Sequence, residues 1–306
     1  MGHHYVPQRY LRNFECPGNP GFIWQHEKKT GEARAVAIKK AAQASDYYEP
    51  EVEALLAEVV ESPTTPIIDK LTKAEAISPD ERHQLALYIG TMLMRVPARR
   101  RKTMQQYPGQ VADYVKESRA EFERLARTLP DADATIVAKR LAELDVWAKK
   151  HARNPPEEVI EQIRSPWPYT SMVSAIEEMT WRVMVSAGPQ YFITSDNPAF
   201  YFGGSGLGKP QSELSFPLST THAWHGSWQA AASILAYVQS SQGFVKEINR
   251  RLASTADRAF YHESAPWLLQ ILPKAKPYLS ALHWSKPPQW REIPILVSDG
   301  QRYVVG

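Results

Sequence analysis

Apolar and polar positions fall into blocks whose period changes twice along the chain. In GFIWQHEKKTGEARAVAI, Phe22, Ile23 and Trp24 precede the turn KKTG, and Ala35, Val36 and Ile38 follow it, which predicts a β-hairpin. The period then lengthens. In SDYYEPEVEALLAEVVE, Val52, Leu55, Leu56 and Val59 fall on one helical face, and Pro63 and Pro66 are expected to break that helix before PIIDKL begins another turn. SPDERHQLALYIGTMLMRVPARRRK carries a clear helix start: Ser78 as N-cap, Pro79 at the first position, Asp80 and Glu81 in the first turn. Leu85, Ile89, Met92 and Val96 form its buried stripe, and Pro97 kinks or ends it. Helix continues to about residue 164, with Val137, Leu141 and Leu144 as a stripe and PPEEVIEQI as a short capped helix.

After that the pattern shortens again. WRVMVSA, YFITSDNP, LSFPLS and ASILAYVQ are short, apolar and rich in aromatic or β-branched residues, and they read as strands. GFVKEINRRLASTADRAFYH returns to helix, with Phe244, Ile248 and Leu252 on one face. REIPILVSDGQRYVVG predicts a closing hairpin with Asp299 and Gly300 at its turn. The outline is α+β: an N-terminal strand and hairpin, a long helical middle, and mainly antiparallel sheet in the C-terminal half. It is expected to form a single domain over 1–306. A helical subregion covers about 50–180, and a sheet-rich subregion about 181–306 is joined by the N-terminal segment 1–40.

Composition changes this picture little. A chain of 306 residues, 43% hydrophobic and 23% charged, can bury a substantial core. No apolar run reaches the roughly 18–20 residues of a membrane span, and no signal-like segment follows Met1, so a cytoplasmic protein without a membrane partner is expected. The single Cys16 excludes an intramolecular disulfide framework and any multi-cysteine zinc site. A net charge of +3 permits an anionic partner without requiring one.

Two motifs carry candidate chemistry. The opening HHYVPQRYLRNF places His3 and His4, then Gln8, Arg12 and Asn13, in a run too polar for a core strand. Adjacent residues of a strand face opposite ways, so one imidazole could act as ligand or base while the other packs. YFITSDNPAF runs a strand into Ser195-Asp196-Asn197-Pro198. This is either a rigid Asx-type turn or a carboxylate held at a strand end beside an amide, the geometry of a metal or phosphate site. Arg95 and the run Arg99, Arg100, Arg101 and Lys102 are candidate phosphate contacts, or a cationic helix end. Asn249 borders an apolar helix face and implies a polar network. His222, Trp224 and His225 in THAWHGSW form a second aromatic-histidine cluster. Walker, GxGxxG, HExxH and GxSxG signatures are absent.

HHYVPQRYLRNF, SDYYEP, the MRVP segment, ITSDNP, FPLS and the Asn-bearing helix occur in an order that resembles the bacterial domain-of-unknown-function family numbered 4238, over nearly the whole chain. The resemblance implies a common role for these motifs and supplies no reaction. HHYVP is also similar to the histidine-histidine-aliphatic-valine-proline stretch of HNH-type endonucleases, in which one His is the general base and its neighbour a metal ligand. Here no third ligand follows the hairpin closely, so further ligands would come from Asp196 and Asn197. The leading expectation is a metal-dependent phosphodiesterase acting on nucleic acid. His3, His4 and Asp196 would be catalytic, His4 and Asp196 would hold Mg or Mn, and Gln8, Arg12, Arg95, Asn197 and Asn249 would bind substrate. One alternative is a non-catalytic binding or sensing module in which the same residues form a structural network. Another is a hydrolase of a small nucleotide-like molecule.

Overall fold

A computed structural model describes residues 2–45, 47–128, 134–202, 206–229 and 235–263. The chain opens with β1 (Gly2–His4), α1 (Gln8–Leu11) and a 3-10 turn over Arg12–Phe14. The expected hairpin follows as β2 (Phe22–Glu27) and β3 (Ala33–Ala37), with Gly31 at a φ of 74° in its turn, a left-handed conformation that suits a residue without Cβ. β4 (Gln43–Ser45) returns antiparallel to β1 and sets His3 opposite Ala44.

The next helix passes through both prolines instead of ending there. α2 (Pro50–Leu55) runs into a π-helical turn over Leu56–Glu61 and on into α3 (Ser62–Thr72), which contains Pro66. Pro63 has no N–H to give the Val59 carbonyl four residues back. Gln84 supplies the missing donor from the adjacent helix, its Nε2 lying 3.0 Å from that carbonyl oxygen and 3.3 Å from that of Val60. Thr64 and Thr65 hydroxyls donate to the carbonyls of Val60 and Glu61 at 2.7 and 3.1 Å. The wider turn also shifts the buried face: Leu56 and Val60 are buried, while Leu55 and Val59 are exposed.

α4 (Pro79–Met94) starts on the capping box that Ser78 and Glu81 form, and is buried on nearly every side. Pro97 ends that run and begins the next. α5 (Pro97–Thr128), α6 (Ala134–His151) and α7 (Glu157–Arg164) are the helices of a compact unit spanning 98–165. Within that unit Val137, Leu141 and Leu144 are half-buried.

The remaining elements belong to a second compact unit, made of 1–97 with 166–306. They are α8 (Thr170–Glu178), β5 (Thr180–Ser186), β6 (Thr194–Ser195), β7 (Phe200–Phe202), β8 (Glu213–Pro217), β9 (His222–Ser227), β10 (Leu235–Ser240), α9 (Gln242–Thr255) and β11 (Ala259–His262). Five strands form a sheet in the order β10-β5-β9-β8-β7, antiparallel except for the parallel pair β10–β5. A second sheet, β3-β2-β11-β6, is antiparallel throughout and ties the opening hairpin to the late strands. The α+β class is therefore observed. THAWHGSW is strand β9, and Trp224 packs edge-to-face on Trp181, ring centroids 5.2 Å apart. The closing hairpin expected at REIPILVSDGQRYVVG lies outside the described residues. No helix among the described residues is long and apolar enough to cross a membrane.

Candidate functional site

The opening motif folds as it does because Pro7 holds φ at −58° and turns the chain from β1 into α1. Tyr10, Leu11 and Phe14 then face the core, while Arg9 and Asn13, four residues apart, stay on the outer side. The two histidines separate as strand geometry requires. His3 is buried, and its Nδ1 accepts the Tyr48 backbone N–H at 3.1 Å. His4 is half-buried, and its Nε2 donates to the Lys39 carbonyl at 3.2 Å. Burial lowers the His4 pKa, and the Lys39 carbonyl and nearby Glu53 and Glu61 act against that shift.

Arg95 reaches inward. Its side chain is fully buried, with one guanidinium nitrogen 2.6 Å from the Glu61 carboxylate and another donating to the His4 carbonyl. Tyr48 donates its hydroxyl to the Arg95 carbonyl at 2.9 Å. Burial works against the charge, but Tyr48 and Glu61 outweigh it and leave the Arg95 pKa raised. Arg95 thus joins the N-terminal strand, the π-helical turn and the end of α4.

Beside this network lies a small, open cleft. Its floor is apolar and buried: Pro7, Tyr10, Ile68 and Tyr88. Its rim is polar, with Arg9 and Asn13 on the α1 side and Glu61, Thr65 and Asp69 on the α3 side. Tyr10 anchors the floor, its hydroxyl 2.8 Å from the Thr194 hydroxyl and donating to the Pro217 carbonyl at 2.9 Å. Asn13 donates to the Leu218 carbonyl at 2.9 Å. Arg9, the Asp69 carboxylate and the hydroxyl of Tyr88 make no hydrogen bond or ion pair among the described residues. Burial drives the Tyr88 phenol pKa up, and the nearby Glu61 adds to that.

The SDNP segment is placed differently. Asp196 is 1% exposed, and its two carboxylate oxygens accept the backbone N–H groups of Asp257, Arg258 and Ala259 at 2.7, 2.6 and 3.0 Å. Burial pushes this carboxyl up to about 6, against the pull of those amides and of Lys28. Asn197 donates its side-chain N–H to the Thr255 carbonyl at 3.0 Å, where α9 leaves carbonyls unpaired. Asn249, also 1% exposed, clamps the approach to β6. Its Oδ1 accepts from Ile193 N–H at 3.0 Å, and its Nδ2 donates to the Tyr191 carbonyl at 2.8 Å. This explains why only Thr194–Ser195 of YFITSDNP is strand: a side chain occupies backbone groups that a neighbouring strand would otherwise take.

The other predicted contacts scatter. Gln8 is half-buried and Arg12 exposed, and neither lines the cleft. Arg99 and Arg100 donate to the carbonyls of Ile163 and Arg164 at 3.0 and 2.7 Å, at the C-terminal end of α7. Among the described residues no group of three or more His, Cys, Asp and Glu side chains converges to hold a metal ion. As placed, His4 gives its Nε2 to one carbonyl and the Asp196 carboxylate accepts three amides. No sequence motif marks Glu61, Asp69 or Tyr88. The signals in the sequence are the prolines two and five residues after Glu61 and a lone tyrosine hydroxyl in the apolar stripe of α4.

His225 of β9 and His262 of β11 are buried. His225 lies 3.0 Å from the Ser215 hydroxyl, and burial with Arg182 and Arg251 nearby lowers its pKa to about 3. Burial, with His26 adding to it, lowers His262 to about 4. Both bind protons more weakly folded than unfolded, so the stability they contribute is present above the unfolded value of 6.5 and is lost on acidification through that window. Asp196, raised from 3.8 to about 6, acts in the opposite sense and offsets one of them below pH 6. The net expectation is a urea midpoint that falls between pH 6.5 and 5, each histidine contributing about 1.4 kcal/mol per pH unit within its window. A midpoint that is flat or rises over this range contradicts the assignment.

No curated protein and no solved structure matches the chain. A family model does: residues 2–266 match the one described as "Protein of unknown function (DUF4238)", and the chain belongs to that family.

Proposed function

We propose that the protein is a non-catalytic binding or sensing module for a small polar molecule held in the cleft between α1 and α3, and that the SDNP and Arg95 motifs are clamps behind it. One contrast carries this reading. Asp196, Asn249 and Arg95 are committed to backbone groups, whereas Arg9, Asp69 and the Tyr88 hydroxyl around the cleft hold no partner among the described residues. Polar groups that border an apolar floor and hold no protein partner fit a small-ligand site.

The test is a polar-fragment screen by protein-observed NMR, with Tyr88→Phe as the control. Hits are expected to shift resonances of Arg9, Asn13, Thr65 and Asp69, and to weaken about 3- to 10-fold in the variant, the scale of one neutral hydrogen bond. Hits that cluster elsewhere would remove the cleft from consideration. Metal-dependent hydrolysis through His4 and Asp196 is the competing proposal. Manganese-dependent cleavage of nucleic acid, lost in a folded Asp196→Asn variant, would reinstate it.

A further inference from the structure

We propose that the cleft selects a small zwitterion, a compact molecule carrying one cationic amine and one carboxylate. The inference rests on the binding-module reading and names its ligand class. The two walls of the cleft differ in charge. The α1 wall presents the Arg9 guanidinium and the Asn13 amide; the α3 wall presents the Glu61 and Asp69 carboxylates with the Thr65 hydroxyl between them in sequence. Glu61 is already matched by the buried Arg95, so the pair adds no net charge. What remains is one cation and one anion, Arg9 and Asp69, on opposite walls of one cleft and within 4.0 Å ion-pair reach of no partner among the described residues.

A singly charged ligand would satisfy one wall and leave its charge facing the like-charged group on the other. A ligand bearing both charges meets both walls. Its carboxylate lies against Arg9, where charge-assisted hydrogen bonds are strongest. Its amine lies against Asp69, and the Tyr88 hydroxyl, which holds no partner among the described residues, offers an acceptor. Its carbon stem rests on Pro7, Tyr10 and Ile68.

The experiment is a titration of the full chain, followed by backbone NMR shifts. The zwitterionic probes are L-alanine, γ-aminobutyrate and ε-aminocaproate, with butylamine, butanoate and inorganic phosphate as single-charge probes. At least one zwitterion is expected to bind saturably at the cleft, about tenfold or more tighter than every single-charge probe. Arg9→Gln and Asp69→Asn should each weaken it by about tenfold, the scale of one charge-assisted contact. Both side chains are exposed, so unchanged melting temperatures confirm that the variants fold. If a single-charge probe binds the cleft as tightly, or both variants bind the zwitterion unchanged, the ligand class is wrong while the cleft stands as a site. If no fragment of any charge saturates the cleft, the class and the binding-module reading fail together.

Discussion

Asp196→Ala is expected to lower the free energy of unfolding by about 3–5 kcal/mol, because it strips the acceptor from three backbone N–H groups at once. Each unsatisfied buried donor costs about 1–3 kcal/mol, and water entering the vacated space recovers part of the sum. The loss is local in origin. Asp257, Arg258 and Ala259 form the junction between α9 and β11, and Asp196 N–H also donates to the Ala259 carbonyl at 3.1 Å, so both strands of that pairing loosen together. Asn at this position fares little better, since its amide nitrogen presents a donor to donors. Urea denaturation checks the figure. A loss under about 1 kcal/mol would mean the carboxylate contributes little beyond its hydrogen bonds with water.

Arg95→Met is expected to cost about 3–5 kcal/mol, as when one partner of a buried ion pair is removed. The guanidinium has no exposure, while Glu61 retains 21%, so the arginine carries most of the desolvation and the variant leaves a carboxylate near apolar surroundings. The His4 carbonyl loses its donor as well. Lysine cannot span the Glu61 carboxylate and the His4 carbonyl from one rigid fork, so Arg95→Lys should recover only part of the loss. The double variant Arg95→Met with Glu61→Gln separates pairing from packing. It should cost less than the sum of the single variants, because the second substitution removes the stranded charge. Strict additivity, measured by urea denaturation, would mean the pair is not coupled.

Much of the fold is legible in the sequence where one local rule acts alone. The hairpin around KKTG, the capping box at Ser78 and the apolar faces of α4 and α9 all follow from turn chemistry and period. The region after Glu49 is not, because its outcome depends on a tertiary partner. Pro63 and Pro66 read as helix breakers, and only Gln84, more than twenty residues later, makes the continuous helix tolerable. That π-helical turn brings Glu61 to Arg95 and to the cleft, so the α3 side of the site has no local sequence signature. The opening motif stands out in the sequence, and several of its hydrogen-bond partners lie in the other motifs: Tyr48 of SDYYEP, Arg95 of MRVP, Thr194 of ITSDNP, and Pro217 and Leu218 of FPLS. Asp196 and Asn249 show a different limit. A polar side chain that clamps backbone and one that awaits a ligand have the same sequence, and only their neighbours distinguish them.

The central claim is that the SDNP carboxylate is a clamp, and amide hydrogen exchange tests it most directly. In the native protein the amides of Asp257, Arg258 and Ala259 are expected to be strongly protected, with or without manganese. In a destabilised but folded Asp196→Asn variant these three should lose protection more than the surrounding strands. Free exchange at these amides in the native protein, with protection of the site arising only when manganese is added, would contradict the clamp and return Asp196 to the role of a metal ligand.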